Sequence, residues 1–321
     1  MARHIVARAE RPVFLYGQPY GGGHALVAYA AAPLFAAFGA SGALLTGIGA
    51  ALSLVSVWLV WHIMRRWFDP LTAAAAAGLY AFSPPVVYQA FLVNGGTESF
   101  LLALCALALF LRAYLDARTG DGAAFLCGLL CGLAWYAMDY ALLYPIVFVL
   151  LMATSGRPGR WRYLAMLAAG AAVGCAPLIV HNLTHDFAHV RHMLSPGGGA
   201  SQGFLPHVAG AVAGIFTGDL AAFFGGDIDD FRRAGVGAWL HAGAALAATA
   251  WLIWTYRRDL TAWLRNRPLG EKGAPLPAAL LPAVFVLVYL GIYAVARFSL
   301  PELRTPRYFL PLCPFVSSSP S

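Results

Sequence analysis

Few side chains in this sequence can do chemistry, and most of them are acids or arginines in apolar company. Asp139 is the sole charge between Asp121 and Arg157. A carboxylate in such surroundings is expensive and is usually functional or paired. The plainer reading is a hairpin tip at the water interface. Glu98 stands in Asn94-Gly95-Gly96-Thr97-Glu98-Ser99, just ahead of an apolar run. It can take a proton from an acceptor hydroxyl or bind a metal, or simply complement a helix dipole behind a Thr97 cap. Arg304 and Arg307, followed by Tyr308, open the last apolar segment. A guanidinium there can clamp a phosphate bidentately or snorkel as an interfacial anchor.

Two further clusters are weaker. His181, His185, His189 and His192, with Asp186, recur at near-helical spacing. Two or three could share a divalent metal, but the spacing favours an amphipathic segment resting on the membrane surface. Asp227, Asp229 and Asp230 follow Gly225-Gly226 and read as a solvated turn rather than a cation site. The five cysteines sit in apolar segments. Cys127 and Cys131 share a helix face among Gly, Leu and Ala, which suits inert core thiols. Asn182-Leu183-Thr184 matches a glycosylation acceptor, a pattern that arises often by chance.

The elements that must position these residues are membrane helices. The chain is 60% hydrophobic and 11% charged, with a mean hydropathy of +0.69. Soluble domains carry about 25% charged residues. No charge lies between Arg11 and Arg65, Asp69 and Glu98, Arg162 and Asp186, or Arg233 and Arg257, and each gap is long enough for a span. The expected fold is all-α, a polytopic transmembrane bundle forming a single integral membrane domain. Residues 1–41 form an outer loop with a re-entrant turn and an interfacial helix that ends at Gly39. Spans follow at about 42–61, 70–90 (kinked at Pro84-Pro85), 97–115, 122–138, 140–154, 163–181, 236–256 and 276–296. A long loop covers 182–235, an incomplete last span starts near Arg307, and 317–321 is a polar tail.

Charge sets the orientation. The short loops holding Arg65, Arg66, Arg112, Arg118, Arg157, Arg160, Arg162, Arg257, Arg258, Arg265, Arg267 and Lys272 are expected on the cytoplasmic side. The opening stretch, Glu98, Asp139, the 182–235 loop and Arg304/Arg307 then face the other side together. The net charge of +7 belongs to span ends and is no sign of nucleic-acid binding. Met1 falls outside under this topology, so a span ahead of it is expected, as is completion of the last span beyond Phe315.

Gln18-Pro19-Tyr20, the small-residue run, and Ala31-Ala32-Pro33-Leu34-Phe35 with Phe38-Gly39 resemble the first outer loop of bacterial GT-C membrane glycosyltransferases. These are relatives of protein O-mannosyltransferases and of enzymes that glycosylate lipid A. The resemblance covers most of the chain and implies transfer of a sugar from a polyprenyl-phosphate donor to an envelope acceptor outside a bacterial inner membrane. The implied catalytic carboxylates are Glu98, Asp139 and Glu10, the last being the only acid before Gln18. Gln18, Tyr20, His24, Arg304, Arg307 and Tyr308 are the implied substrate-binding residues. His24 stands where relatives often carry an acid. A divalent metal cation is the one cofactor in view. The readings left open are a transporter or flippase, and a non-catalytic remnant truncated at both ends.

Overall fold

The computed structural model describes residues 1–9, 11–14, 25–91, 96–115, 120–154 and 159–194, with single positions 243, 247, 250, 251, 254, 255, 257, 258, 261 and 288. The described residues are helical and contain no strand. They fall into two compact units, one within Met1–Leu59, Gln89–Met193 and Arg267–Pro275, the other within Val60–Tyr88, Leu194–Asn266 and Leu276–Ser321. Glu98, Asp139 and the residues around them belong to the first.

Helix α1 (Ala2–Val6) packs on α2 (Leu26–Phe38) through Ala2, Ala28 and Ala31. As expected, α2 stops at Gly39, whose φ of 80° suits a residue without a Cβ. Helix α3 (Gly42–Met64) has 23 residues, about 35 Å at 1.5 Å per residue, which clears a bilayer core of about 30 Å. Ser41 caps its start, its hydroxyl accepting from the Leu44 amide at 3.1 Å. Leu54, Val55 and Trp58 lie exposed along its side, as a lipid-facing helix requires.

In the second unit, Asp69 caps α4 (Pro70–Ala81) by accepting from the Leu71 and Thr72 amides. The expected kink in span two is a full break: α4 ends and α5 (Pro84–Phe91) begins at Pro84. Proline lacks the N–H and clashes with the preceding turn.

Helix α6 (Gly96–Phe110), extended by a π turn at Leu111–Leu115, is the centre of the first unit. Its apolar span is 67% buried, against 22% for α3. Both helices are apolar all round, so only packing tells them apart. Phe110 stacks on Phe148 of α8 (Leu143–Thr154) with ring centroids 4.2 Å apart.

The tightest contact joins α7 (Asp121–Ala137) to α9 (Arg160–Gly174). Gly128 and Gly132 of α7 oppose the carbonyls of Leu167 and Ala171. Gly170 and Gly174 of α9 oppose those of Phe125 and Leu129. An added Cβ at any of the four would overlap a backbone oxygen. Small residues four apart on both helices let backbone meet backbone where lipid offers no hydrophobic drive. The helices run parallel, with Arg162 and Asp121 ion-paired at their shared starting end.

The sixth span departs from expectation. It breaks at Cys175 and continues as α10 (Ala176–Thr184), bent by 69° from α9. Pro177 has no N–H to continue the ladder, and its ring would strike the carbonyl four residues back. The expected loop from Asn182 is helical at its start: α10 runs to Thr184 and α11 spans Ala188–Leu194. By length and composition two described helices can span a membrane alone, Gly42–Met64 and Gly96–Ala113, and the bent pair makes a third. Helix α7, at 17 residues, is about 25 Å long.

Candidate active site at one end of the helical bundle

The site is built where α6 begins and α7 ends. Ser99 donates to the Ala134 carbonyl at 3.0 Å, tying the first turn of α6 to the last of α7. The Tyr140 hydroxyl stands 3.5 Å from the Gly96 carbonyl, so the turn after α7 is held against the start of α6. Glu98 sits in that first turn and is only 6% exposed. Among the described residues its Oε2 has no hydrogen-bond partner. The helix-dipole role fits its place, but a solvated cap would not be buried.

Asp139 opens a single 3-10 turn, Asp139–Leu142, between α7 and α8. It is not the solvated tip of the plainer expectation: its side chain is 19% exposed and held. Trp135, one helical turn back, donates from its indole nitrogen to Oδ1 at 3.3 Å. His189 Nε2 stands 3.2 Å from the same oxygen, an ion-pair approach rather than an aligned hydrogen bond. Both contacts fall on Oδ1. Among the described residues, no hydrogen bond or ion pair engages Oδ2.

His189 reaches Asp139 because the chain doubles back after α10. Asn182 organises that return. Its carbonyl accepts from the Phe187 amide at 2.8 Å, its side-chain oxygen from the Val190 amide at 3.3 Å, and its amide donates to the Leu178 carbonyl at 3.0 Å. Asp186 and Phe187 both take positive φ, 50° and 56°, a conformation that bulky residues rarely adopt. Asn182 is buried, so the glycosylation match has no accessible acceptor.

The histidine series therefore divides. His181 and His185 stack at 4.2 Å, while His189 turns inward and is buried, unlike a segment lying on the surface. His192 has no described side chain. Among the described residues no three His, Cys, Asp or Glu side chains are grouped to hold a metal.

A short strap completes the site. The Pro12 carbonyl accepts from the Tyr29 hydroxyl at 3.1 Å. The Val13 carbonyl accepts from the Tyr136 hydroxyl at 3.2 Å and from the Ala25 amide at 3.0 Å. Phe14 packs edge-on against His181, with centroids at 4.7 Å, and lies 5.9 Å from the His189 ring. Gln18, Tyr20 and His24 lie between Val13 and Ala25 in the sequence. Those three residues, with Glu10, Arg304, Arg307, Tyr308 and the 227–230 acids, lie outside the described residues. The structure thus brings Glu98 and Asp139 to one end of the first unit. Trp135, Tyr136, Tyr140 and Phe14 are supports that sequence reasoning passed over. The aromatic run around a lone acid, Trp135-Tyr136-Ala137-Met138-Asp139-Tyr140, was the available signal.

Described residues that are helical, apolar and long enough in places to cross a bilayer define a polytopic helical membrane protein. Residues 24–181 match the family described as dolichyl-phosphate-mannose-protein mannosyltransferase. The fold is similar to crystal structures of ArnT from Cupriavidus metallidurans. To the apo form the TM-score is 0.61 at 16% identity. To the form bound to undecaprenyl phosphate it is 0.62 at 17%. Each comparison covers 99% of this chain and 52% of the other, so the chain spans about half the length of ArnT. No curated protein sequence matches. The family match covers residues 24–181, and the likeness to ArnT is one of fold.

Proposed function

We propose that this chain carries a glycosyl-transfer site that moves a sugar from a polyprenyl-phosphate donor to a hydroxyl acceptor on the outer face of a bacterial inner membrane. The observation that carries the reading is a coincidence of place. The stretch matching the mannosyltransferase family, residues 24–181, is the stretch that holds Glu98 and Asp139. The donor class is supported by the likeness of fold to an ArnT structure bound to undecaprenyl phosphate.

In this scheme Asp139 takes the acceptor proton through Oδ2. The acceptor oxygen forms a bond to the anomeric carbon as the bond from that carbon to the phosphate oxygen breaks. Polyprenyl phosphate leaves with the electron pair, and configuration inverts. Arg304 and Arg307 are the candidate clamps on that phosphate, with Gln18, Tyr20, His24 and Tyr308 lining the substrates. Glu98 is the second acid. A divalent cation bound near it is part of the proposal, and chelation before assay tests it.

The direct experiment follows labelled sugar from a polyprenyl-phosphate donor to extracted envelope acceptors. Asp139→Asn should lower turnover by about 10²- to 10⁴-fold, the range general-base catalysis supplies. Undiminished turnover in that variant removes Asp139 from the proton transfer. No transfer by the wild-type chain with any such donor rejects the reading as a whole.

A further inference from the structure

The Asp139 carboxylate is gripped on one oxygen only. Trp135 approaches Oδ1 from α7, its own helix, and His189 approaches Oδ1 from α11, fifty residues further along the chain. Both contacts fall on one oxygen, and neither engages Oδ2. His189 is delivered to this point by devices that a surface segment would not need. The 69° bend after Gly174 and two consecutive residues at positive φ redirect the chain. The Asn182 side chain bridges Leu178 and Val190. Its ring is 1% exposed and has Phe14 of the strap beside it. A buried imidazole with an acid at 3.2 Å is poorly explained as packing alone, since an apolar side chain would fill the same space without a polar group to satisfy.

We propose that His189 is a positioning residue: its imidazole, with Nε2 3.2 Å from Oδ1, steadies Asp139 so that Oδ2 is presented to the acceptor. This inference rests on the glycosyl-transfer reading for its kinetic consequence, but not for its geometry. Small displacements of a reacting group are felt strongly, about 10²-fold for 1 Å.

The test uses the full chain and two variants, His189→Leu and His189→Gln. Leucine fills the space without a donor, whereas the glutamine amide nitrogen can stand where Nε2 stands. Turnover and labelling of Asp139 by a hydrophobic carbodiimide are both followed, the latter by mass spectrometry with Glu98 as the internal reference. A carboxyl group released from a neighbour that packs on it is freer to meet the carbodiimide, so the labelling rate reports how firmly Asp139 is held.

The expected result is a fall in kcat of about 10- to 100-fold for His189→Leu with donor KM within about 3-fold of wild type, as for a loss confined to the transition state. His189→Gln should recover most of the rate. Carbodiimide labelling of Asp139 should quicken in His189→Leu and stay near wild type in His189→Gln. Unchanged kcat in His189→Leu overturns the proposal, as does an equal loss in both variants, which would mean a packing role. If wild type transfers no sugar, the labelling decides alone. Faster labelling in His189→Leu then sustains the positioning role while the glycosyl-transfer reading falls, and equal labelling overturns the positioning role.

Discussion

Replacing Gly132 by Ala should destabilise the protein, although the same change elsewhere should help it. A Cβ at Gly132 would overlap the Ala171 carbonyl oxygen and lie 2.9 Å from both the carbon of that carbonyl and the Cys175 nitrogen. These are backbone atoms of a neighbouring helix, so no rotamer change relieves the contact. Overpacking of this kind costs about 1–3 kcal/mol. Against it stands a gain of about 0.5–1 kcal/mol for Ala over Gly within a helix. The net expectation is a loss of roughly 1–2 kcal/mol, the difference of those two effects. Gly78, inside α4, has nothing within 4 Å of the same added atom. Gly78→Ala should therefore be neutral or stabilising by up to about 1 kcal/mol. Unfolding in mixed micelles with increasing SDS, followed by circular dichroism, measures both variants. A Cβ on Gly174 would also lie 2.9 Å from the Gly132 Cα, so Gly132→Ala and Gly174→Ala should be non-additive. Equal signs for Gly132→Ala and Gly78→Ala would refute the close-contact account of α7 and α9.

Three other outcomes follow. Glu98→Gln should raise the thermal midpoint in detergent, by about 1 kcal/mol of stability, because a neutral amide replaces a buried acid with one unpartnered oxygen, and it should slow sugar transfer. A lower midpoint would mean that Oε2 is engaged. Asp186→Gly should be neutral or stabilising by up to about 1 kcal/mol, since glycine accepts the 50° φ without the penalty of about 1–2 kcal/mol carried by other residues, less its greater freedom when unfolded. Little burial is lost because Asp186 is exposed. The third concerns acid. The Thr72 hydroxyl, and then the Thr72 amide, lower the Asp69 pKa below its ordinary value. This depressed carboxyl stabilises α4 above its unfolded pKa and stops doing so as pH falls through its folded pKa. Asp69→Ala should remove that part of the acid dependence in thermal melts between about pH 5 and pH 2, and an unchanged profile would discard the cap.

What the sequence discloses here is what is encoded locally. The ends of α3 are readable from the length of an apolar run, the end of α2 from Gly39, and the break before α5 from Pro84. Asp139 is readable as a hairpin tip because it interrupts two apolar segments. Pro177 carries a comparable signal, but charge-free apolar sequence on both sides suggests one straight span. The return that brings His189 to Asp139 depends on the Asn182 side chain meeting an amide eight residues on and on a phenylalanine at positive φ, and neither has a sequence signature. Gly128, Gly132, Gly170 and Gly174 show small-residue spacing to the eye, yet spacing alone does not say that these two pairs face each other. For the site, scarcity singles out Glu98 and Asp139. Their holders, Trp135, Tyr140 and Phe14, look like ordinary membrane aromatics until the helices are assembled.

The backbone contact of α7 with α9 has a consequence for bilayers of different thickness. Membrane helices meet a thicker or thinner hydrocarbon layer by tilting. Where side chains separate two helices, each can tilt on its own by repacking that layer. Here no such layer exists between Gly128–Gly132 and Gly170–Gly174, so α7 and α9 tilt as one body. Asp139 follows directly from the end of α7, and the arm bearing His189 follows from the end of α9. The carboxylate and its imidazole therefore keep their separation while the bundle leans, and lipid thickness changes the depth of the pair rather than its geometry.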